Sequence, residues 1–205
     1  MGMRIGHGFD SHAFQAGVPL VIGGLSIDHP EGLAGHSDGD VLLHAITDAL
    51  LGAVSAGDIG TFFPPSDPRW KGAASSLFLR TALEEVATAG YKIVNIDTVL
   101  VMAKPKIVPI AGELRESVAE LLGVRPGEVG IKAKTPEGLN QDHVAVAYAT
   151  VLLESLALAE PVRTMVAEAD VEDDIDVVVK TLVGDSRDVS ALGRKMPSFD
   201  TDDLT

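Results

Sequence analysis

Residues 36–60 read HSDGDVLLHAITDALLGAVSAGDIG, and this stretch decides the fold. Its middle part repeats apolar residues at three- and four-residue spacing, which predicts a helix with one face for a core. The apolar positions are Val41, Leu42, Ala45, Ile46, Ala49, Leu50, Ala53 and Val54. Ser37, Asp38 or Asp40 can cap this helix at its N-terminus.

A second face of the same helix carries a polar row. Asp40, His44 and Asp48 are four residues apart and therefore share one side of the predicted helix. Such a row is either an ordinary solvated face or a place for chemistry. The helix alone does not decide between these two interpretations.

Residues 4–14 are predicted to form a strand that places Asp10 and His12 on one face and Ser11 on the other. By itself this pair could be the polar end of an ordinary strand. Together with His44 it makes a set of two histidines and one carboxylate. Three protein ligands with an open fourth position are typical of a catalytic zinc site.

The remaining pattern predicts an α/β or α+β fold, with helices packed on one face of a sheet. The further elements are predicted as a strand at 19–23, a helix at 75–89 capped by Ser75, a strand at 91–103, a helix at 107–122, a strand at 128–134 and a helix at 143–158. Residues 28–35 are predicted to form a loop, and 61–72 a connector or a lid. Because the last predicted helix is apolar on more than one face, it suggests an oligomer.

Composition narrows the function classes. The 205-residue chain carries a net charge of −14, which argues against a nucleic-acid partner. It has no cysteine for thiolate ligands and no run of eighteen apolar residues that could cross a membrane. The N-terminus lacks an apolar signal region, so we expect a cytoplasmic protein. An anionic substrate would need local positive charge, which Lys104 and Lys106 could supply unless they form a solvated turn.

The composition changes near residue 160. Residues 1–160 are predicted to form one domain, and residues 161–205 an acidic, partly disordered C-terminal extension. A short apolar run at Val177–Val183 could form a strand or helix that docks on the domain.

Five segments together resemble the 2-C-methyl-D-erythritol 2,4-cyclodiphosphate synthases of the non-mevalonate isoprenoid pathway. They are RIGHGFDSHAF at 4–14, GHSDGDVLLHAITDALLGA at 35–53, GDIG with FFPPSDP at 57–68, KPK at 104–106 and IKAKTPEGL at 131–139. These segments occur in the family's order over about residues 3–158, and the extension is not covered.

The resemblance implies an intramolecular phosphoryl transfer. In the family, the 2-phosphate of 4-diphosphocytidyl-2-C-methyl-D-erythritol 2-phosphate attacks the β-phosphate, a cyclic diphosphate forms and CMP leaves. It implies one Zn²⁺ per subunit on Asp10, His12 and His44, and Mg²⁺ or Mn²⁺ between the phosphates. It also implies a ferredoxin-like subunit in a homotrimer, with active sites between subunits.

The resemblance further assigns residues to the substrate. His36 and Thr135 match the family's transition-state contacts, and Met102–Val108 matches its cytidine loop. The full set of matching substrate contacts is Asp10, Ser11, His12, His36, Ser37, Asp48, Asp58, Ile59, Gly60, Phe63, Asp67, Met102, Ala103, Lys104, Pro105, Lys106, Ile107, Val108, Lys134, Thr135, Pro136 and Glu137.

Three departures from the family pattern leave alternatives open. Lys134 in KAKTPE is a residue that the family pattern does not have at this position, and Pro65 replaces an acidic residue of that pattern. The segment 139–143 is shorter than its counterpart in the family and lacks a phosphate-binding arginine. The alternatives are a zinc-dependent phosphodiesterase on the same scaffold and a non-catalytic trimeric module that binds metal and nucleotide.

Overall fold

The computed structural model describes residues 2–139 and 142–156. The strands in these ranges are β1 (Met3–Ala16), β2 (Leu20–Ile22), β3 (Leu25–Ile27), β4 (Glu31–Leu33), β5 (Tyr91–Val101), β6 (Val129–Lys134) and β7 (Val144–Ser155). The α-helices are α1 (Val41–Ala53), α2 (Ile59–Phe62), α3 (Ser75–Thr88) and α4 (Ala111–Leu122). Short 3-10 helices lie at Pro68–Trp70, Val108–Ile110 and Pro126–Glu128.

A five-stranded sheet in the order β4-β1-β7-β5-β6 forms the main layer, and β2 and β3 make a separate hairpin. Strand β7 is antiparallel to both β1 and β5, whereas β5 and β6 are parallel. Helices α1, α3 and α4 cover the face on which Ala147, Ala149 and Leu100 are buried. The predicted mixed α/β class, with helices on one face, is confirmed.

The connection pattern agrees with a ferredoxin-like sheet in one half only. Strands β1 and β5 are parallel to each other with β7 between them, which is a split β-α-β unit. In chain order, however, the main sheet runs β-α-β-α-β-β once the edge strand β4 is set aside, because α4 joins the adjacent strands β5 and β6. A ferredoxin-like chain runs β-α-β-β-α-β, so the predicted topology is wrong in its second half.

Helix α1 lies unusually close to β1. A Cβ atom at Gly6 would be 1.8 Å from the carbonyl oxygen of Ala49, and one at Gly8 would be 1.9 Å from that of Ala45. Only glycine allows this approach, because any side chain would occupy the space of the helix backbone. The two glycines therefore set the distance between the strand and the helix.

The helix predicted for 143–158 is wrong, because Val144–Ser155 forms the central strand β7. Its residues alternate between buried and outward positions along most of its length. Ala145, Ala147 and Ala149 face α1, where only small side chains fit, while the outward positions carry β-branched and aromatic residues. Alanine favours helices, but here the two-residue period and the pairing with β1 and β5 decide the structure.

Smaller differences concern chain ends and loops. The predicted loop at 28–35 contains the edge strand β4, and the segment 61–72 includes the end of α2 and a 3-10 helix. Ser75 is not a cap, since Ala74 holds the N-cap position of α3. No helix among residues 2–139 and 142–156 is long and apolar enough to cross a membrane. The predicted extension at 161–205, including Val177–Val183, lies outside the described residues.

The outer face of the sheet carries exposed apolar side chains. Ile5 is 71% exposed, Phe9 49% and Tyr148 40%. Phe9 and Tyr148 lie opposite each other on β1 and β7, with ring centroids 5.2 Å apart. The apolar surface attributed to a last helix therefore belongs to a sheet face.

Candidate active site

Three donor atoms converge where β1 meets α1. The Oδ2 atom of Asp10 lies 2.9 Å from both Nε2 of His12 and Nδ1 of His44. The two histidine nitrogens are 3.1 Å apart. The alternation of β1 turns Asp10 and His12 to the inner face, and the helix places His44 above them. The predicted metal triad is thus brought together by the fold, and it is the one such group among the described residues.

The charges in the triad are coupled. Burial opposes ionisation of Asp10, but the neighbouring His12 and His44 rings outweigh it and hold the pKa of Asp10 well below its usual range. Burial alone would lower the pKa of His12, yet its hydrogen bond to Asp10 and the charge of that carboxylate raise the pKa above its usual value. The backbone of Ala34 also hydrogen-bonds the His12 ring. Asp10 is therefore an ionised carboxylate held between two imidazole rings.

The donor set fits a small divalent cation. Donors around a tetrahedral zinc ion, at bonds of about 2.0–2.2 Å, lie roughly 3.3–3.6 Å from one another. The distances between Asp10, His12 and His44 are only slightly shorter than that. Imidazole and carboxylate are ligands that zinc accepts, and the chain offers no thiolate. These three residues can hold the ion that the sequence predicts.

The far nitrogen of His44 is enclosed by hydroxyl groups. Nε2 lies 2.8 Å from Oγ of Ser75 and 3.0 Å from Oγ of Ser37. The Ser75 hydroxyl donates to Oδ1 of Asp38, and its backbone N–H donates to Oδ2 of the same carboxylate at 3.0 Å. The start of α3 is thereby tied to the loop that precedes α1.

Asp40 does not join the triad, although it belongs to the polar row. It is fully buried at the N-cap of α1, where its Oδ1 atom accepts from the N–H groups of Gly23 at 2.9 Å and Leu43 at 3.0 Å. Its Oδ2 atom accepts from the N–H of Gly24 at 2.7 Å. Burial raises the pKa of Asp40 to about 6, although the three N–H donors oppose the rise. Asp40 is therefore a structural cap that joins α1 to the β2–β3 hairpin.

Asp48 and Asp58 shape the turn after α1. Oδ1 of Asp48 accepts from the N–H of Ile59 at 2.8 Å, and burial raises the pKa of Asp48. Asp58 caps α2 through the N–H and hydroxyl of Thr61, both at 2.7 Å, and these hydrogen bonds lower the pKa of Asp58. This turn brings Ile59 and Gly60 to the cavity beside the triad.

The triad opens into a cavity of about 250 Å³. Besides the triad, its lining residues are His36, Ser37, Ile59, Gly60, Phe63, Pro65, Trp70 and Phe78. The centroid of the Phe63 ring lies 4.3 Å from that of Phe78 and 5.0 Å from that of Trp70. Among the described residues, Nε1 of Trp70 is the one buried side-chain nitrogen or oxygen without a hydrogen-bond partner. Phe63, Trp70 and Phe78 therefore form an aromatic wall of the cavity that also holds the triad donors.

Two predicted contacts lie elsewhere. Ser11 is exposed on the outer face of β1, opposite Val146, so its side chain points away from the triad. Asp67 caps the 3-10 helix and binds Arg69 at 2.6 Å, which lowers the pKa of Asp67. Asp67 does not line the cavity.

The predicted cytidine and lysine segments form a separate group. None of residues 102–108 and 134–137, all of them within the described part of the chain, lines the triad cavity. Ala103 and Lys104 line another cavity, of about 260 Å³. The Thr135 hydroxyl donates to Glu137 in the turn after β6. The residues predicted to bind substrate therefore fall into two groups, which we call half-sites, and only one of the two groups lines the triad cavity.

A protein family matches most of this sequence. A family model described as the YgbB family matches residues 3–154. This chain belongs to the YgbB family.

Similar proteins and solved structures share one name. The chain is 64% identical over 152 residues to 2-C-methyl-D-erythritol 2,4-cyclodiphosphate synthase from Koribacter versatilis (strain Ellin345), covering 74% of this chain and 98% of that protein. It is 49% identical over 153 residues to the synthase of the same name from Aquifex aeolicus (strain VF5), covering 75% and 98%. A solved structure of such a synthase in a CDP-bound form is 44% identical, with a TM-score of 0.70, covering 74% of this chain and all of that one.

The sequence resemblance to the cyclodiphosphate synthases does not identify every residue around the triad. Ser75 and Asp38 support His44, and Trp70 and Phe78 line the cavity, yet none of these four was assigned to the site from the sequence. Ser75 is 31 residues from His44 and matches the pattern of a helix cap, so local spacing gave no signal. Only the packing of α3 against α1 brings them together.

Proposed function

We propose that this chain is a 2-C-methyl-D-erythritol 2,4-cyclodiphosphate synthase. It converts 4-diphosphocytidyl-2-C-methyl-D-erythritol 2-phosphate to the cyclic diphosphate and CMP. The observation that carries the proposal is the convergence of Asp10, His12 and His44 beside the cavity of a YgbB family member. An oxygen of the 2-phosphate forms the new bond to the β-phosphorus, and the bond to the CMP oxygen breaks.

The proposed metals are Zn²⁺ on Asp10, His12 and His44, and Mg²⁺ or Mn²⁺ between the substrate phosphates. When bound, they supply Lewis acidity and offset the repulsion between anionic phosphates. Asp10 and the two histidines would hold the zinc ion beside the cavity. The nucleophile belongs to the substrate, so no side chain has to activate water.

The protein's own residues orient the substrate. The turn at Asp58–Gly60 is proposed to bind the diol, and the aromatic wall to pack against the erythritol carbons. His36 and Thr135 are proposed to contact the transferring phosphate, and Met102–Val108 to bind the cytidine end. Lys106 contributes positive charge near the diphosphate, which a protein of net charge −14 needs locally.

We propose a homotrimer with active sites between subunits. The exposed Ile5, Phe9 and Tyr148 side chains on the outer sheet face form an apolar patch suited to a second copy of the chain. The separation of the two half-sites within one chain also supports this assembly, because a neighbour could supply the missing half. Native mass spectrometry of the full chain gives the subunit number.

The catalytic unit is proposed to end near residue 160, with 161–205 as an extension. The family match ends at residue 154, and the Koribacter relative covers 74% of the chain. The cytoplasmic location suggested by the N-terminal sequence stays a prediction.

One assay tests the proposed reaction and its two alternatives. The full chain is incubated with the diphosphocytidyl substrate, Zn²⁺ and Mg²⁺, and both CMP release and the phosphorus NMR spectrum of the product are recorded. A cyclic diphosphate is expected. CMP with a linear product would instead support the phosphodiesterase, and nucleotide binding without product would support the non-catalytic module. The His44→Ala variant is the matched control for turnover that does not depend on the triad.

A further inference from the structure

The hydrogen-bond chain behind His44 runs through one fully buried hydroxyl. Ser75 has no exposed surface, and its Oγ atom lies between Nε2 of His44, at 2.8 Å, and the carboxylate of Asp38. A buried hydroxyl between an imidazole and a carboxylate must satisfy both of them with a single hydrogen. Its orientation is therefore determined by its neighbours.

The direction of these hydrogen bonds follows from what each group can donate. An ionised carboxylate only accepts, so the Ser75 hydrogen points to Asp38. The Ser75 oxygen can then only accept from His44, so a hydrogen bond between the two atoms requires a hydrogen on Nε2. Ser37, at 3.0 Å from the same nitrogen, can accept from it or donate to it and so fits either tautomer. A neutral His44 with its hydrogen on Nε2 keeps a lone pair on Nδ1, the nitrogen that faces Asp10 and His12.

We infer that Ser75, oriented by Asp38, is a positioning residue that keeps the His44 hydrogen on Nε2 and so leaves Nδ1 free to bind the metal. This inference rests on the proposed metal site. It assigns a role to two residues that do not touch the ion. Groups behind a metal-bound histidine typically change metal affinity by roughly 10- to 100-fold when they are removed.

Such a role is needed because the triad by itself favours the wrong tautomer. The carboxylate of Asp10, 2.9 Å from Nδ1, attracts a hydrogen to that nitrogen. A hydrogen on Nδ1 would block the lone pair. The Asp38–Ser75 pair opposes this from the other side of the ring, because it leaves Nε2 facing an oxygen that has no hydrogen to offer.

The first test compares Ser75→Ala with Ser76→Ala. Ser76 is the next residue of α3, and its side chain makes no hydrogen bond within residues 2–139 and 142–156, so it controls for the loss of a hydroxyl in this turn. Zinc dissociation constants are measured by competition with a chelator. We expect Ser75→Ala to bind zinc roughly 10- to 100-fold more weakly than wild type, and Ser76→Ala to match wild type.

The second test, Asp38→Asn, keeps the size and shape of the side chain but replaces one carboxylate oxygen with an NH₂ group. An amide can donate to the Ser75 oxygen, which frees the Ser75 hydrogen to point at Nε2 of His44. The His44 hydrogen should then move to Nδ1. Nitrogen NMR of the imidazole in the metal-free protein reports the tautomer directly, and a merely structural role for Asp38 would not change it. We expect an Nε2–H signal in wild type, an Nδ1–H signal in Asp38→Asn, and weaker zinc binding by that variant.

The outcomes separate this inference from the proposed metal site. A wild-type protein that binds no zinc would overturn both. If wild type binds zinc and both variants keep its dissociation constant within about twofold and its Nε2–H signal, only the role of Ser75 and Asp38 is overturned. If Ser75→Ala does not fold, Asp38→Asn decides alone, since it removes no atom from the core.

Discussion

At the level of single residues, replacing His44 tests the metal site most directly. His44 lies within α1, where alanine is a strong helix former, and its ring supplies one of the three triad donors. His44→Ala should therefore fold normally but lose most bound zinc and nearly all activity, because two donors remain. Metal content by mass spectrometry, together with circular dichroism, measures both effects.

The control for this variant is His29→Ala. His29 is a histidine outside the triad that hydrogen-bonds the carbonyl of Glu31. Its removal should leave the zinc content at the wild-type level. Full zinc occupancy in purified His44→Ala would show that the ion, if bound, is held elsewhere.

Asp10 and His12 make the stability of the metal-free protein depend on pH. The lowered pKa of Asp10 contributes stability above its ordinary value of 3.8, and this is lost as the pH falls through the lowered pKa. The raised pKa of His12 contributes stability below its ordinary value of 6.5, and this is lost as the pH rises through the raised pKa. Both contributions are present together between about pH 4 and pH 6.5.

Asp10→Asn removes this contribution. The free energy of unfolding of metal-free wild type should therefore exceed that of Asp10→Asn by more at about pH 5.5 than at about pH 8.5. Urea unfolding at the two pH values measures the difference. An equal difference at both values would mean that the charge on His12 does not stabilise the pair.

Residue-level prediction succeeded where one local rule applied and failed where a side chain had two possible uses. The two-residue period of the strand put Asp10 and His12 on one face, and the structure agrees. The four-residue spacing of Asp40, His44 and Asp48 did not predict the partner of each side chain. Only His44 joins the triad. Asp40 binds the β2–β3 hairpin and Asp48 the turn at Ile59. Those partners are distant in sequence, so spacing within the helix could not identify them.

At the level of elements, the contact of β1 with α1 depends on glycine. In Gly8→Ala, the new Cβ would lie 1.9 Å from the carbonyl oxygen of Ala45, so the helix must move away. We expect the free energy of unfolding to fall by about 1–3 kcal/mol or more. Zinc affinity should fall as well, because β1 and α1 carry different members of the triad. Denaturant unfolding and chelator competition measure the two effects.

Gly52→Ala is the matched control for this contact. Gly52 is exposed on α1, and no atom lies within 4 Å of the position of its Cβ. Alanine should stabilise the helix there by about 0.5–1 kcal/mol, with zinc affinity unchanged. If Gly8→Ala behaved like Gly52→Ala, the close contact would not control the site.

A helix or strand was predicted correctly when the sequence pattern of its segment had one interpretation. The apolar repeats of α1 and the β-branched run of β5 did, and both elements are where they were expected. The segment VAVAYATVLLES did not, because its alanines favour a helix and its alternation favours a strand. Pairing with two neighbouring strands decided the outcome, and that pairing is not visible in the segment itself.

At the level of the whole molecule, the proposed trimer predicts that two inactive proteins can complement each other. His44→Ala damages the metal half-site, and Lys106→Ala the half-site supplied by the neighbour. In mixed trimers, some sites combine the intact metal half of one subunit with the intact lysine half of another. Activity should therefore recover partly, to a minority of the wild-type rate, after co-assembly.

Native mass spectrometry confirms the mixing, and each variant assembled alone is the control. Mixed trimers that are no more active than either parent would place both half-sites within one chain. Monomers at assay concentrations would contradict the proposed assembly itself.

The extension gives a second prediction at this scale. Because every matched motif precedes residue 160, truncation after Glu160 should leave a folded, active trimer. Thermal unfolding, native mass and CMP release of the truncated protein are compared with those of the full chain. Aggregation or loss of activity would show that residues 161–205 are needed by the assembly.

The glycine contact between β1 and α1 also affects which sizes of metal ion the triad can accept. With the helix backbone resting on Gly6 and Gly8, the donors of the triad stand only 2.9–3.1 Å apart. An ion such as Ca²⁺, with bonds of about 2.3–2.6 Å, needs its ligands farther apart. To admit it, the triad side chains would have to spread farther than for zinc, and the close packing of α1 on the strand limits that movement. We therefore expect the packing of β1 against α1 to favour a small cation over Ca²⁺ at this site.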